Sequence, residues 1–84
     1  MKAFEPTIEW REPSTLTPYS NNAKSHPTEQ IDKIASSLAA FGFDQPIVVD
    51  TDGVIIKGHG RREASLRLGL DKVPVLIRSD LSVA

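Results

Sequence analysis

Apolar side chains recur at three- and four-residue spacing between Thr28 and Phe41, a pattern typical of an amphipathic helix. The recurring residues are Ile31, Ile34, Ala35, Leu38 and Phe41. Either Ser25 or Thr28 can cap the start, and Gly42 suits the left-handed residue that follows a helix. We therefore predict a helix from Thr28 to Phe41 with this apolar face toward the core.

Two β-branched runs, Pro46–Asp50 and Val54–Lys57, flank an Asp-Gly turn and predict a hairpin. Their apolar character is nearly continuous, so we expect both faces of these strands to be covered. Thr7–Trp10 alternates polar and apolar residues as a half-buried edge strand would. Val73–Ile77 predicts a last strand, in which Pro74 favours a strand start or an unpaired edge position.

Between the first strand and the first helix, residues 11–27 are rich in Pro, Ser, Thr and Asn and predict an extended connector. Leu16 is its main apolar residue and is expected to anchor it to the core. A second helix should follow Lys57, with Ala64 and Leu68 on one face, Leu66 beside them, and an end at Gly69.

The turn Gly58-His59-Gly60-Arg61 joins the hairpin to this second helix. Glycines permit a sharp turn, and the first N–H groups of the helix, together with its dipole, can hold an anion. Arg61 and Arg62 oppose that dipole by about 0.3–1 kcal/mol each, a penalty that a bound phosphate would reverse. The alternative is an empty tight turn with an exposed histidine.

Composition limits the classes of function. Ten basic and eleven acidic residues give a net charge of −1, which argues against coating nucleic acid by bulk charge, so any basic site must be local. There is no cysteine, which excludes disulfides and thiolate chemistry. No apolar run is long enough for a signal core or a membrane span. At 84 residues we expect one small cytoplasmic domain that does not associate with membranes.

Two polar sets could carry chemistry. His59 and Glu63, four residues apart, would suit a general acid/base pair, although a solvated pair is the more common outcome. Asn22, Lys24 and His26 could donate to a phosphate, although Asn-rich loops are usually only loops. The turn lacks the third glycine of a dinucleotide fingerprint and the Gly-Lys-Ser/Thr of a P-loop.

An ordered set of short motifs resembles the N-terminal domain of ParB-type partition proteins, in a superfamily shared with sulfiredoxin. The motifs are Asn22-Ala23-Lys24, Phe41-Gly42-Phe43, Gln45-Pro46-Ile47-Val48-Val49, the glycine-arginine turn, Leu68-Gly69-Leu70 and Val73-Pro74-Val75. The resemblance covers residues 8–78 and implies an α+β domain with about four strands in a mixed sheet and two main helices. Residues 79–84 would be the stub of a linker.

The resemblance also implies a site. It assigns Gly58, Arg61 and the first helical N–H groups to phosphate binding, and we add Gly60, Arg62, Asn22 and Lys24 to this set. Gln45 and Pro46 would lie near the base or sugar, with His26 on the rim, and no metal ligands are assigned.

The sequence departs from the partition proteins at the turn. They carry Gly-Glu-Arg-Arg, whereas here His59 replaces the glutamate associated with metal-dependent nucleotide hydrolysis, and Gly60 replaces the first arginine. Lys24 stands where an arginine is usual, and the cysteine of sulfiredoxin is absent. The Gly-His-Gly-Arg form resembles ParB-like domains of phage and methyltransferase-associated proteins, and related serine kinases carry Gly-His-x-Arg.

We therefore expect a module that binds nucleotide or nucleic-acid phosphate within a DNA-transaction protein, in partition, transcription regulation or DNA methylation. A DNA-binding or methyltransferase domain would be its linked or associated partner. The first alternative is a small phosphotransferase or metal-dependent nuclease that uses His59 and Glu63, with Mg²⁺ and a nucleoside triphosphate. The second is a non-catalytic protein-interaction domain.

Overall fold

The computed structural model describes residues 7–19 and 28–80. Its elements are, in chain order, β1 (Thr7–Arg11), a 3₁₀ turn (Pro13–Thr15), α1 (Thr28–Phe41), β2 (Ile47–Val49), β3 (Ile55–Lys57), α2 (His59–Leu68) and β4 (Val73–Ile77). The predicted helix from Thr28 to Phe41 is confirmed over these described residues. The 3₁₀ turn in the connector was not predicted.

The four strands form one mixed sheet in the order β1-β4-β2-β3. β4 runs antiparallel to β1 and parallel to β2, and β2 and β3 form the predicted antiparallel hairpin. Asp50 closes that hairpin, since its buried carboxylate accepts the N–H groups of Asp52 at 2.9 Å and Val54 at 3.0 Å. The predicted α+β class and mixed four-stranded sheet are therefore confirmed.

One face of the sheet carries the main apolar core. Its buried residues are Leu16, Ile47, Val49, Ile55, Val73 and Val75, with Phe43 and Ile77 packed against them. Leu16, only 2% exposed, anchors the connector as predicted. The connector thus returns to the sheet next to the hairpin, where Thr17 lies beside Val54.

The two helices share a second, smaller cluster formed by Ile31, Ala35 and Ala64. A side chain at Gly60 would place its Cβ 2.7 Å from Ile34 Cδ1, so the glycine allows α2 to approach α1 closely. Neither helix of the described chain is long and apolar enough to cross a membrane.

The expected core faces of the helices were wrong at three residues. Phe41 is 79% exposed because Gly42 follows in a left-handed conformation and turns the chain, so that Phe43 packs on the sheet instead. Leu66 and Leu68 are 40% and 37% exposed. The buried face of α2 is formed by small residues, Gly60, Ala64 and Ser65, because only a small-residue face permits the close approach of α1.

β1 is an edge strand as predicted, but the expectation that it is half-buried was wrong. Ile8 and Trp10 are 51% and 63% exposed, since β1 packs along β4 and neither helix covers it extensively. Pro74 is the second residue of the central strand β4 and lies just before pairing with β2 begins at Val75. The predicted strand-start position is therefore confirmed.

Candidate functional site

The turn between β3 and α2 has the predicted strand–turn–helix geometry. Gly58 is the N-cap of α2, with φ 103° and ψ 23°, a left-handed conformation that favours glycine. A Cβ there would also lie 3.2 Å from Ile47 Cα. The first helical bond runs from the N–H of Arg62 to the carbonyl of Gly58 at 2.9 Å. The preceding N–H groups of the first turn therefore have no partner within the helix.

A pocket of about 580 Å³ lies between this turn and α1. Residues 58–61 form one wall. The opposite wall is one side of α1, and the segment between α1 and β2 completes the lining. α1 contributes Gln30, Ile34, Ser37 and Leu38. The segment between α1 and β2 contributes Gly42, Asp44 and Gln45.

Arg61 supplies the positive charge of the pocket. Its Nη2 donates to the carbonyl oxygen of Pro46 at 3.4 Å, which holds the side chain along the pocket wall. Its Nε is buried and has no hydrogen-bond partner among the described residues. A buried donor without an acceptor costs about 1–3 kcal/mol.

His59 also lines the pocket and ties the connector to the turn. The backbone N–H of Tyr19 donates to His59 Nε2 at 3.4 Å. The histidine is therefore positioned by the chain that leads toward residues 20–27.

Arg62 and Glu63, both predicted as site residues, do not line the pocket. Arg62 Nε donates to the carbonyl oxygen of Pro13 at 3.1 Å, and its Nη1 pairs with Glu63 Oε1 at 3.1 Å. Arg62 thus fastens the 3₁₀ turn to α2 instead of facing the pocket. Glu63 Oε1 pairs with Arg62 outside the pocket lining, and the proposed joint role of His59 and Glu63 stays a prediction.

The other predicted residues divide into two groups. Gln45 lines the pocket, and the carbonyl oxygen of Pro46 accepts a hydrogen bond from Arg61; their place near a base or sugar stays a prediction. Asn22, Lys24 and His26 lie outside the described residues, and their roles stay predictions.

The sequence analysis missed three polar residues of the pocket, Gln30, Ser37 and Asp44. Gln30 and Ser37 stand seven residues apart, two helical turns, with Ile34 and Leu38 on the same side of α1, so the helical period alone would group them. Asp44 has no such signal, because it lies in an irregular segment. Within ranges 7–19 and 28–80, no cluster of three His, Asp or Glu residues could hold a metal ion.

Comparison with known proteins places this chain in a family. The sequence matches the ParB N-terminal domain over residues 8–83. It is 41% identical over 75 residues to the ParB-like nuclease domain-containing protein YnaK of Escherichia coli K12, covering 89% of this chain and 86% of YnaK.

Two solved structures share the fold. The C-terminally truncated partition protein ParB from Caulobacter crescentus, complexed with CTP-gamma-S, superposes with a TM-score of 0.77 at 25% identity, over 92% of this chain and 46% of that chain. Sulfiredoxin from Arabidopsis thaliana superposes with a TM-score of 0.75 at 25% identity, over 87% of this chain and 85% of that chain. This chain therefore spans less than half of the Caulobacter crescentus ParB chain. It belongs to the ParB N-terminal domain family, in the ParB/sulfiredoxin superfamily.

Proposed function

We propose that this domain binds the phosphate of a nucleotide or a nucleic acid in the pocket between α1 and the β3–α2 turn. The observation that carries the proposal is the position of Arg61, a cation that lines the pocket in the first turn of α2. The N-terminus of α2 lies in the same wall, so backbone N–H groups and a guanidinium converge on one anion site.

Charge sets the orientation of the proposed ligand. Arg61 and Asp44 both line the pocket, and a phosphate is attracted to the first and repelled by the second. The phosphate would therefore lie against Gly58 to Arg61. The base or sugar would lie toward Asp44 and Gln45, whose oxygens can accept hydrogen bonds from exocyclic amino or hydroxyl groups.

A relative supports a nucleotide as ligand. The Caulobacter crescentus partition protein, which shares this fold at 25% identity, was solved with CTP-gamma-S. We infer that a nucleoside triphosphate with Mg²⁺ is one ligand class for this domain, and that DNA is the other. A net charge of −1 favours a local contact with phosphate over an extended basic interface. The surrounding protein would then act in a DNA transaction, through a linked or associated DNA-binding or methyltransferase domain.

The test is calorimetric titration of the chain with CTP, ATP and duplex DNA at low salt, for wild type and for Arg61→Ala. Loss of a hydrogen-bonded charge is expected to weaken binding at least about tenfold. Arg67→Ala is the matched control, since Arg67 lies on α2 but pairs with Asp32 outside the pocket. This variant should bind the same ligands with the affinity of wild type. Absence of binding for every ligand, or equal affinities for wild type and Arg61→Ala, would overturn the proposal.

Phosphoryl transfer or phosphodiester cleavage is a second candidate, favoured by the position of His59 in the same pocket as Arg61. The experiment is turnover of nucleoside triphosphates and of DNA with Mg²⁺ or Mn²⁺. A rate that falls in His59→Ala would support a catalytic role, whereas an unchanged rate would remove it. If no nucleotide, DNA or turnover is detected, the non-catalytic interaction domain is the remaining alternative.

A further inference from the structure

The sheet has one covered edge and one open edge. Beyond β3, the connector is hydrogen-bonded to the hairpin: Thr17 N–H donates to Gly53 O at 2.9 Å, and Ile55 N–H donates to Thr17 O at 2.8 Å. Beyond β1, no strand of residues 7–19 or 28–80 pairs with the sheet. An open edge presents unpaired backbone groups that can pair with another chain.

The hydrogen bonds of β4 show which β1 groups face this open edge. Arg78 N–H donates to Val49 O on β2 at 2.9 Å, so Leu76 and Pro74, which alternate with Arg78, also direct their backbone toward β2. The intervening residues of β4 face β1. In the β1–β4 register, Ile8 lies opposite Leu76 and Trp10 opposite Pro74. Ile8 and Trp10 therefore direct their N–H and C=O groups away from β4, toward the open edge.

The side chains of these two residues make the edge apolar on one face. Ile8 is 51% and Trp10 is 63% exposed, and alternation places both on the same face of β1. Their partners across the strand, Leu76 and Pro74, are only half-buried and extend the apolar surface into the sheet. An exposed tryptophan on an open edge favours a protein partner.

The charges on the other face of β1 select a second copy of this chain as that partner. In an antiparallel pair with Trp10 opposite the partner's Trp10, Glu9 lies opposite the partner's Arg11, and Arg11 opposite the partner's Glu9. Both cross-strand pairs then join opposite charges. Sliding the register by one step to centre on Glu9 would place two glutamates opposite each other, which is unfavourable.

We propose that two copies of this domain pair antiparallel through β1, with Trp10 on the two-fold axis and reciprocal Glu9–Arg11 contacts. The two four-stranded sheets join into one continuous sheet of eight strands. The contact is isologous, so it closes as a dimer and does not propagate. The pocket is lined by α1, the segment before β2 and the β3–α2 turn, so this contact leaves it accessible in both copies.

Sedimentation equilibrium tests the contact and its register. For wild type, the average mass is expected to rise with concentration toward twice the 9.2 kDa monomer. Arg11→Glu places like charges opposite each other at both pairs and should raise the dimer dissociation constant at least about tenfold. Lys33→Glu is the matched control, since it makes the same charge change on exposed α1 and should leave the dimer unchanged.

The charge-swapped variant Glu9→Arg/Arg11→Glu also keeps opposite charges within β1, where Arg11 Nη2 lies 3.1 Å from Glu9 Oε1, so the far-ultraviolet circular dichroism of each single reversal is measured to show that it folds. The double variant restores opposite charges across the contact and should dimerise as wild type does. The single variants Glu9→Arg and Arg11→Glu should remain monomeric at the same concentrations. Trp10→Thr, at an exposed position, should also yield monomer while retaining the far-ultraviolet circular dichroism of wild type. A wild-type chain that stays monomeric up to about 1 mM, or single reversals that dimerise as wild type does, would overturn the proposal.

Discussion

Gly60 shows how one absent side chain determines the packing of the helices. It is buried in the first turn of α2, and an added Cβ would lie 2.7 Å from Ile34 Cδ1. Because that atom is the end of a side chain, the clash would be relieved by moving Ile34 within the space between the helices. The glycine of the turn therefore serves helix packing as well as the pocket wall.

Gly60→Ala should change the free energy of unfolding by less than about 1 kcal/mol, since the cost of displacing Ile34 Cδ1 offsets the gain in helix propensity. Urea unfolding followed by circular dichroism measures the change. Ile34→Val removes Cδ1, so the double variant should lose less stability than the sum of the two single variants. Strictly additive losses would show that the two side chains do not clash.

The Arg78–Asp80 pair gives a residue-scale prediction about pH. Arg78 donates to Asp80 through Nε at 2.8 Å and Nη2 at 2.6 Å. This hydrogen bonding lowers the pKa of Asp80 below its ordinary value of 3.8, and outweighs desolvation, which acts in the opposite direction. The carboxylate therefore contributes stability above its ordinary pKa, and that contribution is lost as the pH falls through the lowered pKa.

Arg78→Gln should return the pKa of Asp80 toward 3.8, measured by NMR titration of the carboxyl carbon. Because both side chains reach solvent, the accompanying change in stability should be small. An Asp80 pKa that is the same in wild type and variant would mean that the pair does not persist in solution.

At the scale of elements, α1 shows that the apolar periodicity of a helix does not by itself determine which of its apolar residues are buried. Ile31 and Phe41 both belong to the predicted apolar face, but Ile31 is 4% exposed and Phe41 is 79% exposed. The helix ends where Gly42 adopts a φ of 76°, so its last apolar residue lies beyond the contact with α2.

Ile31→Ala should cost about 2–4 kcal/mol of unfolding free energy, because it leaves a cavity in the cluster shared by the helices. Phe41→Ser should change stability by less than about 0.5 kcal/mol, as expected for an exposed side chain. Chemical denaturation of both variants compares the two positions directly. A larger loss for Phe41→Ser than for Ile31→Ala would place Phe41 in the core.

At the scale of the whole molecule, the buried apolar residues of ranges 7–19 and 28–80 form two clusters instead of one. The sheet cluster includes Leu16 from the connector, whereas the helix cluster joins α1 to α2. α1 packs on α2 and makes little direct contact with the sheet. The fold therefore depends on α2 to hold α1, and the proposed phosphate pocket lies at this junction.

Native-state hydrogen exchange should show α1 amides opening with a free energy at least about 1 kcal/mol below that of the amides of β4. A bound nucleotide that contacts both walls of the pocket should raise the protection of α1 more than that of the sheet. Amides of β2 and β4 are the internal control. Equal opening free energies for α1 and β4 would mean that the two clusters unfold as one unit.

The sequence by itself determined the local features of this protein. The period of α1, the Asp-Gly hairpin, the left-handed glycines after both helices and the Gly58 turn were predicted correctly, because each depends on neighbours within a few residues. The ordered motifs also identified the family, and with it the mixed sheet, although no single motif was specific.

Only the tertiary structure decided which side chains share a surface. It directs Arg61 to the pocket and the adjacent Arg62 to Pro13, and it brings Asp44 beside the turn. It also buries Gly60 and Ala64 while leaving Leu66 and Leu68 outside. These outcomes depend on contacts between segments far apart in the chain, where burial and hydrogen bonding outweigh local pattern. The period of a helix specifies which residues share a side, and packing specifies which side is covered.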